Sequence, residues 1–222
     1  MDAFRLYEQK REAKQLLGSI VFIFILLAGW YVPLLGYFIP LCMLSGIGIG
    51  LFRGRKWCDW YCPRGSFYDA LAGKLSPQRK IPAALRNMYL RIGVLFLLML
   101  IMGFNLFKRW PNPTMIGMFF VIMLSITTVI GVILAIVFHQ RSWCLICPIG
   151  TAINLIGRNK YPVEIDSSLC VECKLCAKVC PVQIKPYTFK SKGRQAVRDG
   201  DCLRCGLCIA VCPKKALRFK KE

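Results

Sequence analysis

Residues 170–181 read C-V-E-C-K-L-C-A-K-V-C-P and residues 202–213 read C-L-R-C-G-L-C-I-A-V-C-P. They are two copies of C-x2-C-x2-C-x3-C-P, displaced by 32 residues. Three thiolates spaced two residues apart wrap three corners of an iron-sulfur cube, and in two-cluster chains the fourth, just before proline, ligates the other cluster. The spacing assigns Cys170, Cys173, Cys176 and Cys212 to one [4Fe-4S] cluster, and Cys202, Cys205, Cys208 and Cys180 to a second. Zinc is the plainer alternative, yet its usual sites carry paired C-x2-4-C units rather than this triplet closed by C-P.

The surrounding residues agree with a small α+β, bacterial-ferredoxin-like domain over residues 163–222. Val171, Leu175, Val179, Leu203, Leu207 and Val211 are expected to pack around the clusters. Between Cys180 and Cys202 the chain carries Lys185, Lys190, Lys192, Arg194 and Arg198, which suits a surface hairpin that is either solvated or a docking patch for an acidic carrier.

Upstream, the character of the chain changes. No charged residue falls between Leu16 and Phe52, a run of 37 positions, whereas about 20 helical residues cross a bilayer once. Two spans fit this run, about Leu16–Val32 and Leu34–Phe52, with Pro33 and Gly36 turning the chain. Two more are expected at about Leu90–Phe107 and Ile116–Phe138, separated by the turn K-R-W-P-N-P. Residues 1–162 thus read as four transmembrane helices in two hairpins. The composition of the 222 residues, 56% hydrophobic with a mean hydropathy of +0.49, excludes an ordinary water-soluble enzyme.

The 31 Lys and Arg against 11 Asp and Glu are unevenly placed: four before Leu16, none in the first turn, nine from Arg53 to Arg91, two in the second turn and sixteen from His139 onward. The positive-inside rule puts both termini and the middle loop in the cytoplasm of a multi-pass protein of the cytoplasmic membrane. A reducing compartment argues against disulfides for the 13 cysteines. Nucleic-acid binding has only the net charge of +20 behind it, and orientation across the membrane already explains that charge. A cleaved signal peptide is the rival reading of the first span, but no small-residue cleavage site is evident.

A second duplication follows the two hairpins. Residues 55–66 read R-K-W-C-D-W-Y-C-P-R-G-S and residues 141–151 read R-S-W-C-L-I-C-P-I-G-T, a common frame of W-C-x(2,3)-C-P-x-G-[ST] recurring after 86 residues. Both pairs, Cys58 with Cys62 and Cys144 with Cys147, fall on the same side of the membrane, so four thiols can converge there. A shared iron-sulfur cluster, a redox-active or zinc-held thiol set, and small apolar cysteines at helix ends are the three readings. Ser66 and Thr151 are expected to cap the helices that follow, and Cys42 reads as core filling. His139, the single histidine, is a proton acceptor, a heme ligand or plain interfacial lining. Trp57 and Trp143 are interfacial anchors or, with His139, quinone-site residues.

This whole layout resembles the NapH/MauN-type quinol dehydrogenase membrane components, and also the membrane halves of nitrous-oxide regulatory flavoproteins and cytochrome oxidase assembly ferredoxins. Members of that family carry C-x3-C-P twice, whereas the second phrase here is C-x2-C-P. The resemblance implies a subunit of an oxidoreductase complex in a bacterial or archaeal inner membrane, passing electrons between the quinone pool and a partner redox protein. A maturation or regulatory reductase serving a metal centre in another protein is the alternative it implies. No P-loop, dinucleotide fingerprint or nucleophile elbow supports a stand-alone enzyme.

Overall fold

Proline at 33 cannot donate to a helix and fixes its own backbone, so the apolar run breaks there. The computed structural model describes residues 2–220; the C-terminal limit assigned to the tail, Glu222, lies outside it. Helix α1 (Asp2–Ala28) stops short of Pro33, and a 3₁₀ turn, Pro33–Tyr37, leads into α2 (Phe38–Arg53). The turn packs against a later helix, α8 (Pro113–Val137), where a Cβ on Gly36 would collide with the Gly117 carbonyl.

Three helical stretches among the described residues are long and apolar enough to cross a membrane: Pro33–Arg53, α7 (Met88–Arg109) and α8 (Pro113–Val137). They coincide with three of the four expected spans. The first expected span differs, because the helix ends at Ala28 rather than Val32 and leaves 13 residues after Gln15. At 1.5 Å per residue these reach about 20 Å, against a hydrocarbon core of about 30 Å. The polar half of the same helix, with Arg5, Lys10, Arg11 and Lys14, continues outward to the tail.

Each cysteine pair sits where one short helix gives way to another. After α2 come α3 (Lys56–Trp60), α4 (Pro63–Phe67), a π-turn (Tyr68–Ala72), α5 (Gly73–Leu75) and α6 (Ala83–Arg86); after α8 come α9 (Ser142–Ile146) and α10 (Pro148–Gly157). In both copies a proline opens the second helix and the preceding cysteine is its N-cap residue, which is where proline's missing N–H costs least.

The tail contains β1 (Val163–Asp166), α11 (Leu175–Lys178), a 3₁₀ turn (Pro186–Phe189), β2 (Arg194–Ala196), α12 (Leu207–Ala210) and β3 (Leu217–Phe219). Its antiparallel sheet has the order β2-β1-β3, with Ile165 opposite Gln195 and Leu217. Left-handed residues repeat with the same offset of 32 as the cysteines: Glu172 and Arg204, Lys174 and Gly206, Gln183 and Lys215. Such a conformation costs a non-glycine residue about 1–2 kcal/mol, so its recurrence marks two loops wound alike. One apolar cluster joins Val163, Ile165, Val182, Leu203 and Leu217 of the tail to Cys58, Leu145 and Ile153 of the helical part. Val171, expected inside, is 62% exposed because it lies on the outward loop between Cys170 and Cys173.

Candidate functional site

Each predicted set of four cysteines lines a cavity of its own. Cys170, Cys173, Cys176 and Cys212 surround about 380 Å³, closed by Ile165, Leu175, Tyr187 and Leu217. Cys180, Cys202, Cys205 and Cys208 surround about 420 Å³, closed by Val163, Val182, Ile184 and Leu203. The crossing of Cys180 and Cys212 into the opposite set follows from the fold: α11 and α12 pack together, so each cysteine ending one motif faces the other. Backbone N–H groups point at both crossing sulfurs, Ile184 N donating to Cys180 Sγ and Ala216 N to Cys212 Sγ, each at 3.3 Å. Among the described residues no group of three His, Cys, Asp or Glu side chains is gathered tightly enough for a single ion; the quartets surround volumes instead.

Cys58, Cys62, Cys144 and Cys147, from sequence segments 86 residues apart, line one larger cavity of about 780 Å³. Cys42, Trp57, Trp143 and Tyr68 share its wall. Ser66 and Thr151 do not cap helices here. Both lie buried inside α4 and α10; Cys62 caps α4, its Sγ accepting from Gly65 N at 3.4 Å, while Cys147 takes the N-cap position of α10 without a side-chain bond. His139 lines a different cleft with Asp69 and Gln140, and neither tryptophan is in its wall. Its Nδ1 accepts from Arg141 N at 3.2 Å, and burial lowers its pKa, which favours the neutral ring.

Two crossed arginines hold the paired phrases together. Arg55, three residues before Cys58, donates to the Cys144 carbonyl at 2.5 Å; Arg141, three residues before Cys144, donates to the Cys58 carbonyl at 3.0 Å. Glycine in the shared C-P-x-G frame makes room for each. A Cβ on Gly65 would stand 2.6 Å from the Cys58 oxygen, and one on Gly150 would stand 2.9 Å from Arg55 Nη2. Burial pushes the Cys58 and Cys144 thiols up in pKa, and Arg55 and Arg141 respectively pull them back toward the thiolate.

Buried acids anchor these arginines. Arg141 and Arg11 share Asp59 and Asp69 at 2.6–3.0 Å, with Gln15 completing the shell of Asp69. Arg55 and Arg91 converge on Asp201, the residue before Cys202, with Asn154 donating to the same carboxylate. Arg204 is buried without a carboxylate partner and donates to the carbonyls of Cys202 and Arg158. Among the described residues, the buried arginines Arg11, Arg55, Arg91, Arg141 and Arg204 outnumber the carboxylates Asp59, Asp69 and Asp201 that pair with them, which leaves positive charge beside the cysteines. A buried cation is costly unless paired, and thiolate-held anionic clusters are suitable counter-ions, so the residues present fit iron-sulfur centres.

None of these long-range partners is visible as a local motif. The one signal was the arginine repeated three residues before each W-C cysteine.

The geometry defines a mostly helical protein built around cysteine quartets, and comparison with known proteins agrees. A 4Fe-4S binding domain matches at residues 35–82 and 113–163, covering both membrane-side pairs, and a 4Fe-4S dicluster domain matches at residues 162–213. The methylamine utilization ferredoxin-type protein MauN of Methylobacillus flagellatus is 29% identical over 146 residues, covering 59% of this chain and 50% of that protein. Two uncharacterized proteins of Methanocaldococcus jannaschii are 24% and 29% identical, over 64% and 67% of this chain and 57% and 67% of their own lengths. No solved structure matches. The chain carries 4Fe-4S-type domains in both its helical part and its tail and is similar to the ferredoxin-type protein MauN, spanning half to two thirds of the length of these relatives.

Proposed function

We propose that the chain is a membrane-bound electron-transfer subunit that connects the quinone pool to a partner redox protein. In this reading Cys170, Cys173, Cys176 and Cys212 hold one [4Fe-4S] cluster, Cys180, Cys202, Cys205 and Cys208 a second, and Cys58, Cys62, Cys144 and Cys147 a third iron-sulfur centre. Such clusters supply one-electron transfer at potentials tuned by their surroundings.

The observation that carries the reading is the serial placement of three cysteine-lined cavities. Arg55 bridges the Cys144 carbonyl and Asp201, so the membrane-side set abuts the set containing Cys202. On the other side of that set, Tyr7 of α1 donates to the Cys205 carbonyl at 2.6 Å, locking the long helix to the tail. The remaining set faces outward, with Cys173 exposed beside Val171 and Leu169. Leu203, Val182 and Ile184 keep water from the inner set. Lys174, Lys214 and Lys215 flank the outward loop, which suits an acidic partner. The charge distribution supports cytoplasmic placement of the tail and both termini.

The test is reduction of the anaerobically purified full chain by a menaquinol analogue. Rapid loss of the oxidised-cluster absorbance supports the respiratory role. Reduction by dithionite alone would favour a maturation or regulatory reductase supplied by another donor.

A further inference from the structure

Three cations from separate elements meet at the level where the apolar helices end. Lys14 is the last charge of α1 before the uncharged run begins, Arg53 closes the membrane-length stretch Pro33–Arg53, and Lys56 opens α3. They are close enough that repulsion from Arg53 and Lys14 reaches the Lys56 ammonium. The carboxylates nearby are engaged elsewhere. Asp59 and Asp69 each hold Arg11 and Arg141, while Glu8 and Glu12 face the His139 cleft. Two residues are about 200° of helix, so Lys10 and Lys14 fall on the opposite side of α1 from Glu8 and Glu12. Among the described residues, Lys14, Arg53 and Lys56 therefore have no carboxylate partner.

Aromatic rings hold two of these charges without neutralising them. Lys14 Nζ lies 5.1 Å from the centre of the Trp60 ring, and Lys56 Nζ lies 5.7 Å from that of Tyr161. The Trp60 Nε1 is closed off from water and lacks a hydrogen-bond partner. Phe52, beside Arg53 in the chain, and Tyr61, beside Trp60, are both exposed. Orientation across a membrane asks only for an excess of Lys and Arg on one side. It does not ask that three of them converge unneutralised. At the edge of a bilayer, the anion that meets cations with apolar rings beside them is a lipid headgroup.

We propose that Lys14, Arg53 and Lys56 bind the headgroup phosphate of an anionic phospholipid, with its acyl chains beside Phe52. The lipid would tie α1, whose apolar half is short for a span, to α2 and α3 at the membrane surface. Neither the quinone link nor the cluster assignments enter this inference.

The test places the full-length protein in phosphatidylcholine nanodiscs with a small fraction of brominated lipid, either phosphatidylglycerol or phosphatidylcholine, and reads quenching of tryptophan fluorescence. Brominated phosphatidylglycerol is expected to quench more at equal bromine content and to saturate at low mole fraction. Lys14→Gln/Arg53→Gln changes two exposed positions and is expected to weaken that preference at least tenfold, at roughly fivefold per cation, whereas Lys14→Arg retains it. Lys192→Gln/Lys214→Gln removes the same charge from exposed positions of the tail and should leave the preference unchanged. Equal quenching by the two lipids would overturn the site. Equal loss in the two double variants would overturn it too, by showing that net charge alone attracts the lipid. Displacement of brominated phosphatidylglycerol by excess inorganic phosphate would overturn the lipid assignment and give the patch to a free phosphate group.

Discussion

The tail gathers eight cysteines from residues 170–212, whereas the membrane-side quartet is assembled from Cys58 to Cys147 across two repeats and a helical hairpin. In the tail, cysteine placement is a property of the loop: spacing, left-handed residues at fixed offsets and a proline after the last cysteine set each quartet in place. At the membrane side, spacing within a pair is not enough, and buried arginines from one phrase must grip the carbonyls of the other. The contrast teaches that a local motif can specify a cofactor site by itself, while a split motif needs tertiary charge to hold it together.

The largest expected effect of breaking this contrast falls on the arginine clamp. Arg141→Met leaves Asp59 and Asp69 short of a partner in a buried network, and removing one member of such a network costs about 3–5 kcal/mol. Chemical denaturation of the full chain should show this loss, whereas Arg218→Ala, which removes an exposed pair with Glu164, should leave the midpoint unchanged. Equal midpoints for the two variants would show that the clamp is not what holds the membrane-side site.

A smaller effect is expected from the glycines. Gly150→Ala forces a Cβ against the Cys144 carbonyl and Arg55, a clash of the over-packing kind worth about 1–3 kcal/mol. Gly48→Ala enters open space in α2 and should be neutral or stabilising by up to about 1 kcal/mol. Thermal unfolding of the two variants in one detergent gives the comparison.

Acid sharpens it further. Asp69 and Asp201 both have pKa values held below the usual carboxylate range: burial opposes this, but Arg141 and Arg11 outweigh it at Asp69, and Arg91 and Arg55 at Asp201. A depressed folded pKa gives stability that is present above the unfolded value of about 3.9 and lost as pH falls through the folded value. Unfolding monitored between about pH 5 and 2 should show that loss, and Asp69→Asn should flatten it.

Much of this was legible in the chain. The tail's cysteine sets, three membrane-length helices and the repeated W-C phrase all have short periods or fixed spacings. Arg11 with Asp59, Arg55 with Asp201 and Tyr7 with Cys205 were not, since 48, 146 and 198 residues separate them and only folding makes them neighbours. The end of α1 was misplaced for a related reason: an uncharged run shows where a helix avoids water, not where its hydrogen bonds stop. Ser66 and Thr151 resembled caps by composition, yet proline after each cysteine had already set the helix start one turn earlier.

Iron content and low-temperature EPR of the anaerobically purified full chain, compared with a Cys58→Ser/Cys147→Ser double variant, test the central claim most directly. Three centres predict about ten iron atoms in the parent if the third is [2Fe-2S] and about twelve if it is [4Fe-4S], against about eight in the variant, with the tail signals preserved. About eight in both, with identical spectra, would contradict a third centre and return Cys58, Cys62, Cys144 and Cys147 to a structural role.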